Sequence, residues 1–329
     1  MSYNNGMIEN QWYAILPSKA VRKNRILAVR RLNLDLVLFR DSKGKAACLV
    51  DQCTHRGAAL SVGKHRGNCI SCPFHALEFD REGKCVFIPA NGKASTEDLS
   101  RYNVRSYPVS ETNGILYIWY GDAAKATAAP AFFHDFIDET WTYSEMSDHW
   151  NAHYSRVIEN QLDVVHVPIV HYNTIGRGNK TLINGPKVLF EDGMIRTSAN
   201  NEVDVGQKPK KAEDCIMKPT WLGFMYPNIW LNHISEKIRV IIYFAPVDDE
   251  NTMLYIRFYC KITGVKALDT LIAAVGKIMN KTIERQDKRV VVTQKPKPST
   301  FKSGEKLVAG DGPIILYRKM RDELMYKSP

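Results

Sequence analysis

The chain has 329 residues, 44% of them hydrophobic and 24% charged, with a formal net charge of +10. That length allows two domains burying ~75% of the unfolded surface, and the composition excludes a disordered or fibrous chain. No apolar run approaches the ~18 residues of a membrane span, and the basic excess comes without a nucleic-acid-binding motif, so neither membrane nor nucleic acid is an expected partner.

The lysines bunch at Lys208–Lys211 and Lys295–Lys302. Such runs form solvated faces, or surfaces that steer an acidic electron-carrier protein. The opening stretch, MSYNNGMIEN, has no charged-then-apolar leader pattern. Seven cysteines, an odd number, fit a reducing compartment. The expected location is the cytoplasm.

In chain order, Leu36–Arg40 and Ala46–Asp51 read as short strands split by a turn at Asp41–Gly44. Next comes Asp51–Asp80, which contains Cys53-x-His55, sixteen residues, and Cys72-Pro-Phe-His75. Two Cys and two His at this spacing ask for a metal. A structural zinc accepts two thiolates and two imidazoles. A Rieske-type [2Fe–2S] cluster takes two thiolates on one iron and two imidazoles on the other. Zinc fingers usually pair Cys with Cys and His with His, whereas each loop here offers one of each. With its Thr54-His55-Arg56-Gly57 and Cys72-Pro-Phe-His75 contexts, the stretch resembles the Rieske box. The resemblance implies a [2Fe–2S] cluster on Cys53, His55, Cys72 and His75. Respiratory members of that group carry a disulfide at positions that look to be Ala58 and Phe74 here. The resemblance therefore points to the oxygenase branch and leaves Cys69 as a buried free thiol. It also makes Ala76 a departure, because the family usually has Gly there.

Cys85–Pro89 is a further strand, and Val104–Pro108 and Ile115–Tyr120 flank Glu111–Gly114, whose Asn113-Gly114 is a strong hairpin signal. Residues 1–120 thus read as a small all-β domain, 121–131 (GDAAKATAAPA) as a linker, and 132–329 as a second domain. There, Trp141–Met146 is expected as a strand and Arg156–Val165 as a helix. Lys187–Phe190 and Met194–Thr197 straddle an Asp192-Gly193 turn, and Lys237–Pro246 and Met253–Cys260 form a second hairpin. Lys266–Gln294 reads as a long amphipathic helix. An antiparallel sheet under such a helix gives an α+β, helix-grip-like domain.

The informative segment of the second domain is Asn160–His171. Asn160, Asp163 and His166 recur every three residues and share one face on a helix. Pro168 makes a straight helix unfavourable and lets His171 swing back toward His166. Two His plus one carboxylate form the facial triad of non-haem Fe(II) oxygenases. For the third ligand, the long helix carries an apolar stripe through Leu268, Ile272, Val275, Met279 and Ile283, and Asp287 extends it inward. Glu284 is expected to point outward and pair with Lys288.

A Rieske box followed by N-x-x-D-x-x-H-x-x-x-x-H resembles the oxygenase component of Rieske non-haem iron oxygenases. GKCVFIP and VRSYPVSETNGILYIWYGD are similar to the monooxygenase and demethylase branch, that of dicamba monooxygenase, vanillate demethylase and toluenesulfonate methyl-monooxygenase. The similarity covers most of the first domain and residues 140–175, then thins. It implies electrons from an external ferredoxin or NAD(P)H reductase, a mononuclear Fe(II) on His166, His171 and Asp287, and O₂ as co-substrate. It further implies a head-to-tail homotrimer in which Asp163 bridges a cluster His of one subunit to an iron His of its neighbour, with Asn160 close to the iron. The expected reaction is hydroxylation or oxidative demethylation of a small, ring-bearing molecule. Cis-dihydroxylation, or a pure electron carrier, are the alternatives. No Gly-rich nucleotide fingerprint is present, so hydride from NAD(P)H is not taken unaided. Asn232 and His233 are the polar candidates for the substrate pocket, with Arg239 and Arg257 as candidates for a substrate carboxylate.

Overall fold

The computed structural model describes residues 6–126 and 129–326. Residues 1–5 of the opening stretch and 127–128 of the expected linker lie outside the described residues. The chain divides into two units, Met1–Pro130 and Ala131–Pro329.

Among the described residues, the first unit holds three antiparallel sheets. One places β11 (Ile115–Tyr120) between β1 (Gln11–Pro17) and β10 (Val109–Thr112). Every residue of β11 is buried, as its unbroken apolar run requires of a central strand. A second sheet joins β2 (Leu27–Arg31), β3 (Leu34–Arg40), β4 (Ala46–Val50) and β9 (Ser106–Tyr107) in that order. The third joins β5 (Lys64–Arg66), β6 (Cys69–Ser71), β7 (Glu78–Asp80) and β8 (Cys85–Phe87). Here the Asn113-Gly114 hairpin differs from expectation. The partner of β11 is Val109–Thr112, while Ser106–Tyr107 pairs with β4. Pro108 separates the two short strands, and the polar Ser110 and Glu111 masked the second.

The second unit is built on a seven-stranded antiparallel sheet. Its strands are β12 (Thr142–Trp150), β13 (Leu182–Glu191), β14 (Met194–Glu202), β15 (Trp221–Met225), β16 (Ile229–Ser235), β17 (Ile238–Pro246) and β18 (Thr252–Cys260), in the order β12-β18-β17-β16-β15-β14-β13. Its helices are α1 (Tyr154–Leu162), α2 (Val167–Val170), α3 (Lys266–Val291) and α4 (Gly312–Tyr326). A buried bidentate pair, Arg318 to Glu159 at 2.7 and 2.9 Å, ties α4 to α1. Such a pair fixes orientation more than it adds stability.

The register of α3 corrects the expected stripe. Its buried face runs through Asp269, Ala273, Gly276, Glu284, Asp287 and Val291, a 3.6-residue period. Leu268, Val275 and Met279 are more than half exposed instead. The cause is close packing on the sheet: a Cβ on Gly276 would lie 2.5 Å from the Phe258 ring. Only small residues fit at that contact, so the larger apolar side chains turn outward. Among the described residues no helix is long and apolar enough to cross a membrane.

Candidate metal centres

The two loops of the first unit have matching backbones. In one, the Gly57 amide donates to the Cys53 carbonyl and the Cys53 amide to Ala58. In the other, the Ala76 amide donates to Cys72 and the Cys72 amide to Leu77. Gly57 and Ala76 both take positive φ, +75° and +59°. Each loop therefore needs a left-handed residue four positions after its first Cys, where Gly is the easy choice. Cys53 and Cys72 are buried in the core with Leu60, Ile70, Leu77 and Phe79. Burial raises the Cys53 thiol to about 11, opposed by the amides of its own loop. His55 and His75 lie at the exposed end, ring centroids 4.6 Å apart. Two buried sulfurs below two adjacent imidazoles fit the donor set of a Rieske cluster. Cys69 is free but only half-buried, on β6.

In the second unit the segment after α1 departs from the helix expected over Arg156–Val165. The helix ends at Leu162, and Asp163 caps it in extended backbone, φ −74° and ψ 128°. Asn160, Asp163 and His166 therefore do not share one helix face. The break has a local cause: Asp163 Oδ1 accepts the Val165 amide at 2.6 Å, a short side-chain bond that competes with the helix. Asp163 Oδ2 still lies 3.3 Å from His166 Nδ1. His166 then leads into α2, with Pro168 in its first turn, and His171 follows at its end.

These turns bring the two imidazoles to a centroid separation of 5.2 Å. Asp287 from α3 completes the group: its Oδ1 is 3.0 Å from His171 Nε2 and 3.3 Å from His166 Nε2. One ligand atom from each residue lies within 4.8 Å of the others. Asp287 Oδ1 is buried with no hydrogen-bond partner. A buried, orphaned carboxylate oxygen facing two imidazole nitrogens fits a divalent metal with a 2-His-1-carboxylate preference. Burial opposes charge on His166, but the Asp163 and Asp287 carboxylates override it and raise the ring to about 9. Burial likewise pushes Asp287 up, and the two imidazoles outweigh it, holding the carboxyl at about 2.

Sequence reasoning missed two residues here. Gln286 accepts from His171 Nδ1 at 2.8 Å and from Thr174 Oγ1 at 2.9 Å. Its side-chain amide donates to Asn173 Oδ1 at 2.8 Å, which sets its orientation. Glu284, expected outside and paired with Lys288, is buried; Lys288 pairs with Asp148 at 2.9 Å instead. Burial raises the Glu284 carboxyl well above its ordinary range, and the nearby Asp287 and Asp148 charges add to this.

A cavity of about 140 Å³ adjoins the triad, lined by Asn160, Asn232, Asn280 and Glu284 among apolar neighbours. His233 is not part of it. Adjacent strand residues face opposite sides, so His233 stacks on Trp221 at 4.9 Å and its Nδ1 bonds the Pro219 carbonyl at 2.8 Å. Arg239 lies on that other side, its guanidinium over Trp141. Arg257 is buried against Glu145 at 2.8 Å. Neither arginine lines the cavity.

The family described as Rieske [2Fe-2S] domain matches residues 11–108. The family described as vanillate O-demethylase oxygenase C-terminal domain matches residues 150–326. The iron–sulfur subunit of the toluene-4-sulfonate monooxygenase system of Comamonas testosteroni is 32% identical over 172 residues, 51% of this chain and 48% of that protein. The oxygenase component of dicamba O-demethylase from Stenotrophomonas maltophilia is 36% identical over 168 residues, 50% and 48% of the two chains. The matches thus span about half the length of these curated relatives. NdmA of Pseudomonas putida CBB5 superposes with a TM-score of 0.78 at 21% identity, over 96% of this chain and 90% of that one. Dicamba monooxygenase bound to dicamba gives 0.74 at 22%, over 97% and 98%. At that identity the superpositions show the fold.

Proposed function

The chain belongs to the vanillate O-demethylase oxygenase family by its C-terminal domain and carries a Rieske [2Fe–2S] domain ahead of it, and from that premise we propose that it is the oxygenase component of a multicomponent monooxygenase. Its substrate is a small, ring-bearing organic molecule that it hydroxylates or oxidatively demethylates. Cys53, His55, Cys72 and His75 hold the cluster, and His166, His171 and Asp287 hold the mononuclear iron. A mononuclear Fe(II) in such a site supplies O₂ activation once electrons arrive, and a separate ferredoxin or reductase provides them. The observation that carries the reading is the convergence of His166, His171 and Asp287 beside a cavity. A pure electron carrier does not need that group.

The residues divide the work. Gln286 fixes the His171 ring with its Nε2 turned toward Asp287. Asp163 orients His166 from the other side and, in a head-to-tail trimer, reaches a cluster imidazole of the next subunit. Asn160 presents an unpartnered Nδ2 to the cavity. Leu222, Val240 and Ile242 offer the substrate an apolar wall. The relatives' names, toluene-4-sulfonate monooxygenase and dicamba O-demethylase among them, support the reaction class.

The test is an iron count joined to a product assay. The purified protein is expected to be brown and to hold three irons per chain, with a Rieske potential inside roughly −150 to +300 mV. With a surrogate reductase, a substrate screen followed by mass spectrometry is expected to find a product gaining one oxygen atom or losing a methylene. A colourless protein with one tight zinc, or a chain holding two irons and no oxygenase activity, would overturn the proposal.

A further inference from the structure

The cavity beside the triad has the size of a single ring: about 140 Å³, against the ~150 Å³ of a void that takes benzene. Leu222, Val240 and Ile242 give it an apolar wall. Against that wall stand polar atoms with nothing to bind. Asn232 Oδ1 on β16 and Asn280 Nδ2 on α3 are buried and without a hydrogen-bond partner. Asn160 Nδ2 and Glu284 Oε2 on the same cavity are likewise buried and unpaired. Unpaired buried polar groups are costly, so the acceptor of Asn232 and the donor of Asn280 ask for a polar ligand that pairs both.

The charges lining the cavity are equally selective. None of the described residues lining it is Lys or Arg, while Asp163, Glu284 and Asp287 all contribute carboxyl groups. An anion entering would lose its hydration and find no guanidinium or ammonium group to pair with. We infer that the cavity takes an uncharged, single-ring-sized molecule offering an acceptor to Asn280 and a donor to Asn232, the pattern of a carboxamide, lactam or urea. This rests on the cavity being the substrate site of the proposed oxygenase.

The experiment reads binding rather than turnover, so that the two readings fail separately. Iron-loaded full-length protein, with its iron content measured, is titrated anaerobically by calorimetry with benzamide, benzoate, benzylamine and toluene. These probes share one ring and differ in charge and hydrogen bonding. Benzamide is expected to bind about ten-fold or more tighter than any of the others, as one or two net hydrogen bonds provide. Asn232→Leu and Asn280→Leu should each cut benzamide affinity about ten-fold and leave toluene binding unchanged or stronger. Benzoate or benzylamine binding as tightly as benzamide would overturn the inference. So would benzamide affinity unmoved by both substitutions, or no benzamide binding up to its solubility limit. Missing mononuclear iron would instead strike the proposed function, while the probe preference would still be measured.

Discussion

Nδ1 of His171 donates to Oε1 of Gln286 across 2.8 Å, and Gln286 immediately precedes Asp287 on α3. One turn of helix thus supplies both a carboxylate for the triad and the acceptor that sets the tautomer of the neighbouring imidazole. An acceptor at Nδ1 leaves the lone pair on Nε2, the nitrogen that faces Asp287. Gln286→Leu is expected to weaken the mononuclear iron 10–100-fold, the usual effect of losing such a partner, with the cluster spectrum unchanged. Gln286→Glu keeps an acceptor and should hold the metal. Iron per chain after dialysis against a graded chelator checks both.

Asp287 and Glu284 lie on the same buried face of α3 but have different surroundings. Asp287 Oδ1 meets both imidazoles, while Glu284 lines the cavity and is not one of the three converging residues. Asp287→Ala should drop the iron count from three to two per chain and leave the protein brown. Glu284→Gln should keep all three irons. The reverse pattern would show that the ligand set includes Glu284 and excludes Asp287.

The same helix shows where the sequence was legible. The turn between His166 and His171 could be read from Pro168, but the end of α1 at Leu162 could not, because it rests on the short bond from the Val165 amide to Asp163. The face of α3 could not be read either. Its apolar side chains trace a convincing stripe, yet the buried line passes through Ala273 and Gly276, because Phe258 on the sheet leaves no room for a larger contact. Nothing in the helix's own sequence announces that neighbour. Asn232 and His233 separate for a similar reason: the strand was legible, but its register, which assigns one residue to the cavity and the next to the opposite face, depends on pairing with β15 and β17. The all-β and sheet-plus-helix architecture rested on local turn and alternation signals, and the structure has that architecture.

Ala76 occupies a left-handed position, φ +59°, where the matching loop has Gly57. An L-residue there costs about 1–2 kcal/mol, and the greater freedom of Gly in the unfolded chain offsets part of its relief. Ala76→Gly is therefore expected to stabilise the first unit by about 0.5–1 kcal/mol. Loss of cluster absorbance during urea titration measures it. A destabilised variant would mean that the methyl group contributes packing worth more than the strain.

His153 caps α1 and is held neutral: burial first, then the Arg321 and Arg156 charges, lowers it to about 3. The folded protein refuses a proton that the unfolded chain accepts below ~6.5. Stability is therefore full above pH ~6.5 and falls by up to about 1.4 kcal/mol per unit as pH drops toward 3. His153→Asn keeps an acceptor for the Ser155 amide, which His153 Nδ1 accepts at 3.2 Å, and removes the titration. Its denaturation midpoints should fall less steeply between pH 6 and 4 than those of the parent, and equal slopes would rule out His153 as the source.

Asp163 uses its two oxygens differently: Oδ1 accepts the Val165 amide at 2.6 Å and Oδ2 faces His166 Nδ1 at 3.3 Å. Its side chain keeps 22% of its surface exposed, so a lone pair remains open to an imidazole from a neighbouring subunit. Asp163→Asn preserves the shape but replaces one acceptor with an NH₂ donor, which cannot accept from an imidazole N–H. One contact, to Val165 or to the ring, is then lost whichever way the amide turns. In iron-loaded protein both metals should stay bound, the mononuclear iron less tightly because His166 loses its orienting partner, while turnover falls by orders of magnitude. The inter-subunit role has its own test. Co-expressing a His75→Ala chain, without the cluster, and a His166→Ala chain, without the mononuclear iron, gives homo-oligomers that are each inactive. If Asp163 bridges subunits, mixed oligomers would contain some junctions where an intact cluster meets an intact neighbouring iron, and activity should reappear there. Introducing Asp163→Asn into the chain that retains the iron should abolish that recovery. Mixed oligomers that form yet stay inactive would place electron transfer within one chain and remove the bridging role from Asp163.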